Sequence, residues 1–390
     1  MAKEIDEQSL REYGRRKRRV RRIRNLIILV LLLIIAIVGA IYLYKLNNKD
    51  YHSFEEIKSI ENTGENVVGY LNYGNAVIRY SRDGAVAIDK DGSLIWNGSY
   101  EMLNPIVDTC GKYVVIADQN NKLIHIFNEK GAVSSIPTLY NILKVEIASQ
   151  GVVAALMEEG DTNYIILYDT DGTVLGEKET YVSKEGFPID ITLSDDGEKL
   201  VTSYLSTTKG EIINTVAFLN FGEVGQNYTG RFVGGYEFED MIIPKSVFLD
   251  NDTVCVFKED GFLIYSMPEI PNLIYEENLD GTIKSILYDK EHIGIVLEES
   301  GTSSKRLLLY NNKGQRILER ELTFDYHQIY LAGDEVIMHD NQSVIILKLN
   351  GKEKFRYTFD KNFTDIYPMN HLNRYFLVSD KKISTIALVE

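Results

Sequence analysis

The chain has 390 residues, 44% hydrophobic and 25% charged, which is an ordinary globular composition. Its net charge is −15, and because residues 1–25 hold ten Lys/Arg against four acids, the remainder is more acidic still, at −21. A domain so charged repels nucleic acid, whose phosphates need clustered cations. The two cysteines, Cys110 and Cys255, are far apart and in no metal-ligand spacing, so they read as buried apolar residues rather than as a disulfide or metal pair.

In chain order, residues 1–14 are polar and are expected to be unstructured. The basic run from Arg15 to Arg24 follows, and Leu26 to Tyr44 then pass without a charge. As a helix, that second stretch spans roughly 28 Å at about 1.5 Å per residue, matching the hydrocarbon thickness of a bilayer. Fourteen of its residues are Leu, Ile or Val, which favours insertion by about 4–8 kcal/mol. Tyr42 and Tyr44 suit an aromatic belt and Lys45 can snorkel to the interface. The expectation is a single-pass plasma-membrane anchor with a cytoplasmic N-terminus, the basic side setting the orientation. A cleaved signal peptide ending near Val38-Gly39-Ala40 and a nucleic-acid-binding basic patch are the alternatives. The domain reading is therefore a basic cytoplasmic tail (1–25), a transmembrane anchor (26–46), a polar linker (47–53) and one extracytoplasmic domain (54–390).

Within that domain one hairpin keeps returning: an apolar run, Asp or Asn, two free positions, Gly, then another β-rich run. Clear copies are Ile88-Asp89-Lys90-Asp91-Gly92, Phe127-Asn128-Glu129-Lys130-Gly131, Tyr168-Asp169-Thr170-Asp171-Gly172 and Tyr310-Asn311-Asn312-Lys313-Gly314. A looser one is Leu347-Lys348-Leu349-Asn350-Gly351, and Leu219-Asn220-Phe221-Gly222 is one residue short. Asp or Asn opening a turn accepts hydrogen bonds from the backbone just ahead, and Gly supplies the positive φ that closes it. The flanking β-branched and aromatic residues suit strands. A spacing of about forty residues with several short strands per copy is the signature of a propeller blade.

The fold class is accordingly all-β, a β-propeller of eight blades, with seven as the alternative. The units are expected near 65–100, 104–138, 142–181, 189–230, 244–276, 282–322 and 328–358. The last piece, 365–390, has only three strands, around Asp365–Tyr367, Arg374–Ser379 and Ile383–Val389. Phe54–Ile60 has no unit of its own and is expected to supply the missing outer strand, so that the termini clasp one blade. The Gly- and aromatic-rich stretch 223–238 reads as an outer strand with a long loop, or as a lid over one face.

No catalytic constellation stands out. The six histidines (His52, His125, His292, His327, His339 and His371) form neither HExxH nor a close pair. No nucleophile elbow, Walker loop or dinucleotide fingerprint occurs. Asp89-Lys90-Asp91-Gly92 and Asp169-Thr170-Asp171-Gly172 hint at calcium loops, but turn chemistry explains them better. Five Asn-x-Ser/Thr sites, at Asn97, Asn227, Asn251, Asn341 and Asn362, matter only in a secretory-pathway cell. No cofactor, metal or catalytic residue is expected. What remains is surface: Tyr100, Tyr140, Tyr181, Tyr236 and Tyr326 fall in or beside the blade-to-blade connections of one face, a candidate site for a protein, peptide or glycan partner.

The copy Ala87-Ile88-Asp89-Lys90-Asp91-Gly92-Ser93-Leu94-Ile95-Trp96 resembles the repeats of quinoprotein-type and outer-membrane-assembly-type propellers. It has Asp where Thr is usual, and no other unit carries the Trp. The layout of basic tail, anchor and acidic Tyr-rich propeller is similar to an uncharacterised family of membrane-anchored proteins from clostridia-like Gram-positive bacteria. That resemblance implies a location outside the plasma membrane and no known activity. Two functions are open: a non-enzymatic interaction platform, or a glycan- or small-ligand-binding sensor or enzyme with its site at the central channel.

Overall fold

The computed structural model describes residues 17, 24–39, 49–62, 66–208, 210–369 and 373–390. The chain divides into two units, residues 1–51 with 390, and residues 52–389. In the first unit residues 24–39 are helical. Residues 1–14, nearly all of the basic run and residues 40–48, which hold the rest of the expected anchor and the start of the linker, lie outside the described residues. Among the described residues no helix is long and apolar enough to cross a membrane.

The second unit consists of eight four-stranded antiparallel sheets. Seven are built from consecutive strands, over residues 67–99, 105–137, 141–181, 187–239, 245–278, 282–322 and 328–358; we number these blades 1 to 7. Blade 8 takes three strands from residues 365–389 and its outer strand from Ser53–Glu61. The pairing runs from Ser53 opposite Val389 to Glu61 opposite Lys382. The clasp expected from the unpaired N-terminal strand is therefore present, and the count is eight rather than seven. First strands of successive blades touch one another around the axis, and fourth strands form the outer rim.

The hairpin motif works as its chemistry requires. The Asp89 carboxylate accepts from the amides of Asp91 (2.9 Å) and Ser93 (2.7 Å), and Gly92 closes the turn at φ +72°. Asn311 repeats this with the amides of Lys313 and Gln315, both at 3.0 Å, beside Gly314 at φ +79°. Each turn joins the third strand of a blade to its fourth.

Second and third strands carry apolar side chains on both faces because each sheet is covered by a blade on either side. Val114, Val115, Ile116 and Ala117 are all fully buried. Val115 and Ile126 pack against Val145 and Val153 of the next blade, while Val114 and Ile116 face Ile78 and Ala87 of the preceding one. Each such Val or Ile contributes about 1.5–3 kcal/mol by leaving water.

Blade 4 departs from the expected boundaries. Its outer strand is Phe232–Glu239, so the blade ends at residue 239 rather than near 230. Two short 3-10 turns, Val224–Asn227 and Thr229–Arg231, fill the connection instead of a lid. Gly234 disguises this strand because glycine weakens a strand pattern. It is there because blade 5 comes close: a Cβ at Gly234 would lie 2.6 Å from Pro271 Cγ.

The outer strand of every blade slips register once against its neighbour. The extra residue is an exposed aliphatic in six blades, namely Ile57, Ile95, Val133, Leu175, Ile274 and Ile317. In the other two it is Val233 or Lys354, both buried.

One turn is constrained further. Gly261 has φ +155°, and a Cβ there would meet the Glu277 carbonyl oxygen at 1.9 Å. Gly261→Ala is expected to destabilise the propeller by more than about 1 kcal/mol, read as a lowered urea midpoint at unchanged slope.

Candidate functional site

The axis is lined by side chains from the first strands, and here the chain assembles a charged belt from four blades. Asp108 comes from blade 2, Lys144 and Glu146 from blade 3, Asp190 from blade 4 and Lys245 from blade 5. Lys144 Nζ lies 2.9 Å from Glu146 and also pairs with Asp190. Lys245 Nζ is 3.8 Å from Glu146 and 3.5 Å from Asp190. Asp190 Oδ2 also accepts from the Ser246 amide at 2.7 Å, and Asp108 Oδ2 from the Ile147 amide at 2.8 Å. Burial pulls the Lys245 ammonium down, but Glu146 and Asp190 outweigh it and hold its pKa above the ordinary lysine value.

Asp108 is the exception to this neutralisation. Burial and then the charge of Glu146 push its carboxyl up to about 7, against donors at Ile147 and Thr109. The folded value lies above the ordinary value near 3.9, so the fold disfavours the charged form. The corresponding stability is whole below about pH 4 and is lost as pH rises towards 7. Asp108→Asn keeps the oxygen that accepts from Ile147 and removes the titration. The variant is therefore expected to melt above the parent at pH 8, with the gap shrinking as pH falls to 5.

At the end of the axis where first strands turn into second strands, alternate blades reach one another. Asp195 of blade 4 pairs with Lys290 of blade 6, and its carboxylate accepts from Cys110 Sγ of blade 2 at 3.4 Å. Burial and then Asp195 push the Cys110 thiol up to about 12. Cys255 is fully buried, as expected, whereas Cys110 is only partly so. Among the described residues no group of three or more His, Cys, Asp or Glu is arranged to hold a metal ion.

The opposite face carries the blade-to-blade connections, where the tyrosines were expected to stand exposed. Of the five, only Tyr181 does, at 39%. Tyr100 is a correction: it is buried at 8%, its ring 5.5 Å from that of His125 and 6.5 Å from that of Phe127 in blade 2. Tyr140 stacks on Tyr164 at 3.8 Å, and Tyr236 packs on Tyr265 at 4.8 Å within the outer strand of blade 4. The Tyr326 hydroxyl lies 2.9 Å from Ser285 Oγ. A phenol at a blade end is long enough to fold back over an adjoining blade, so these rings cover the core instead of presenting to solvent.

What this face does expose is apolar. Leu103 (66%), Leu139 (73%), Val182 (36%) and Phe187 (40%) lie with Tyr181 on the connections into blades 2, 3 and 4. These are consecutive blades, so the residues form one arc, with Lys184 over the Tyr181 ring at 4.8 Å. Sequence pattern misses the arc because each connection contributes only one or two residues. Further round, between blades 7, 8 and 1, the same face holds a polar cavity of about 590 Å³ lined by Asp365, Asp380, Tyr70, Tyr367, Asn62 and Gln328, among others.

The model of a family described as a family of unknown function, DUF5711, matches residues 47–388. The chain belongs to DUF5711. No curated protein matches this DUF5711 chain in sequence. In structure it is similar to BamB from Moraxella catarrhalis, with 14% identity over 86% of this chain and 100% of that one, and a TM-score of 0.53. It is also similar to Sqt1 from Saccharomyces cerevisiae, with 14% identity over 86% and 99% of the two chains and a TM-score of 0.58. Identities this low show the fold alone, and they agree with the propeller repeats read in the DUF5711 sequence.

Proposed function

We propose that this DUF5711 protein is a membrane-anchored, extracytoplasmic propeller that serves as a non-enzymatic interaction scaffold. The observation that carries the reading is the apolar arc of Leu103, Leu139, Val182 and Phe187 on consecutive blades of one face. Contiguous exposed apolar residues rimmed by polar ones mark protein-interaction surfaces. The channel supports the same reading, because its central carboxylates are largely matched by Lys144, Lys245 and backbone amides. The anchor is supported by the nineteen uncharged residues from Leu26 to Tyr44 behind a basic run. The extracytoplasmic side follows from the positive-inside rule, and the likeness in layout to clostridia-like anchored propellers points the same way.

The test uses the full chain in cells, with a photo-crosslinking residue at position 139 or at position 174 on the outer rim. The expected result is a discrete adduct from 139, absent from 174 and lost when Leu103→Asp is added. Equal capture from both positions, or indifference to Leu103→Asp, sinks the scaffold reading. Membrane sedimentation of the full chain, together with release of a chain starting at residue 47, tests the anchor separately. A second reading, a ligand site at the channel mouth, is favoured by the polar cavity between blades 7, 8 and 1.

A further inference from the structure

We propose that the cavity beside the clasped blade binds a small organic cation carrying an alkylammonium or guanidinium group. This deepens the second reading above and is independent of the partner surface on blades 2–4. The volume of about 590 Å³ suits a small molecule. Among the described residues the lining holds two carboxylates, Asp365 and Asp380, two phenols, Tyr70 and Tyr367, the amides of Asn62 and Gln328 and the Thr364 hydroxyl, but no Lys or Arg.

Asp365 gives the site its sign. It is only 7% exposed, and among the described residues no Lys or Arg pairs with it. Its nearest basic neighbour is His339, 2% exposed, whose Nε2 stands 3.6 Å away. That nitrogen has no hydrogen-bond partner, while Nδ1 lies 3.0 Å from the Asp340 carbonyl oxygen. An enclosed carboxylate is costly unless a positive charge or hydrogen-bond donors meet it. Two buried lysines elsewhere in the fold are each met by a carboxylate: Lys354 by Glu335, and Lys199 by Asp252 at 2.5 Å. Here, among the described residues, the basic group beside the carboxylate is an imidazole, and Asp365 also lines the cavity, where a ligand cation can reach it.

The aromatic wall is held in position. Arg79 Nη1 donates to Oδ1 of the lining residue Asn62 at 2.9 Å, which fixes that amide from outside the lining. Asn62 Nδ2 in turn donates to the Tyr70 hydroxyl at 2.5 Å and to the Ser379 carbonyl at 3.0 Å. The Tyr367 hydroxyl donates to the Tyr70 carbonyl at 3.2 Å. Gly69 lets the Tyr80 phenol close the back of the site, since a Cβ there would lie 2.7 Å from that hydroxyl. Fixed tyrosine rings beside carboxylates suit an organic cation through both its charge and its polarised C–H surface. The surplus acidity of the domain raises the local concentration of such ligands.

The experiment is titration calorimetry on the full chain in a non-ionic detergent. The probes are putrescine and agmatine, with 1,4-butanediol and maltose as neutral comparators and a doubly blocked Gly-Arg-Gly peptide. The expected result is saturable one-to-one binding of putrescine or agmatine and none of butanediol or maltose. Asp380→Asn, at an exposed position, is expected to weaken binding at least about tenfold, as removal of a charge about 4 Å away in partly solvated surroundings does. Asp365→Asn should abolish it, and Asp91→Asn on the opposite face should leave it unchanged. If Asp365→Asn does not fold, Asp380→Asn and Gln328→Leu still decide. Binding of the peptide but not of the free amines keeps the site and assigns its cation to a protein side chain. Absence of saturable binding, preference for maltose, or an equal loss in Asp91→Asn overturns the proposal. None of those results bears on the adduct expected at position 139.

Discussion

A chain from which residues 53–61 are removed is expected to lose its cooperative unfolding transition near the parent midpoint, with a loss of more than about 4 kcal/mol. Three effects add. The segment pairs along its length with Lys382–Val389, and its removal opens that edge to other chains. The Phe54 ring lies 5.1 Å from those of Tyr357 and Phe359 in blade 7, and Ile60 packs on the core shared by blades 8 and 1. A single segment therefore ties blade 8 to both neighbours. Without it, blade 8 keeps three strands and is held to its neighbours through those alone. A synthetic peptide spanning residues 52–62 should restore the transition by adding back as an outer strand. A truncated chain that melts with the parent, measured by calorimetry at several concentrations, would contradict this.

The second large effect is expected between blades 7 and 8. Lys354 and Glu335 are both about nine-tenths buried and form an ion pair. The Tyr375 hydroxyl completes the group, donating to Glu335 Oε2 at 2.6 Å and accepting from Lys354 Nζ at 3.0 Å. Burial and then Glu335 hold the Tyr375 phenol well above the ordinary tyrosine value. Glu335→Ala leaves the ammonium enclosed with one neutral partner, and a loss of about 3–5 kcal/mol is expected. Replacing both charges, as Glu335→Leu with Lys354→Met, should recover most of it, since desolvation offsets much of what such a pair contributes. Chemical denaturation of the single and double variants measures both. A double variant as weak as Glu335→Ala alone would mean that shape, not charge, governs the interface.

The hairpins could be read directly because their signal is local. Asp89 to Gly92 and Asn311 to Gly314 each settle a turn within five residues, and the turns pace the strands. The clasp was also legible, as an outer strand missing at one end of the chain and a spare strand at the other. The edge of blade 4 was not, because Gly234 answers to Pro271 in the next blade rather than to its own strand. The tyrosines misled for a similar reason: whether Tyr100 meets water depends on His125 and Phe127, in the blade beside it. Asp108, Lys144, Asp190 and Lys245 come from four consecutive blades and meet only when those blades stack, so no spacing announces them.

The slipped register shared by all eight outer strands bears on how these molecules behave in a crowd. A free strand is a template for fibrils when it runs straight and offers its amides in an even row. Here every outward-facing row is kinked once, and in six blades the kink carries a bulky aliphatic. Two rings meeting side by side therefore find no continuous ladder to share, and the molecule can keep eight open borders without zipping to its copies.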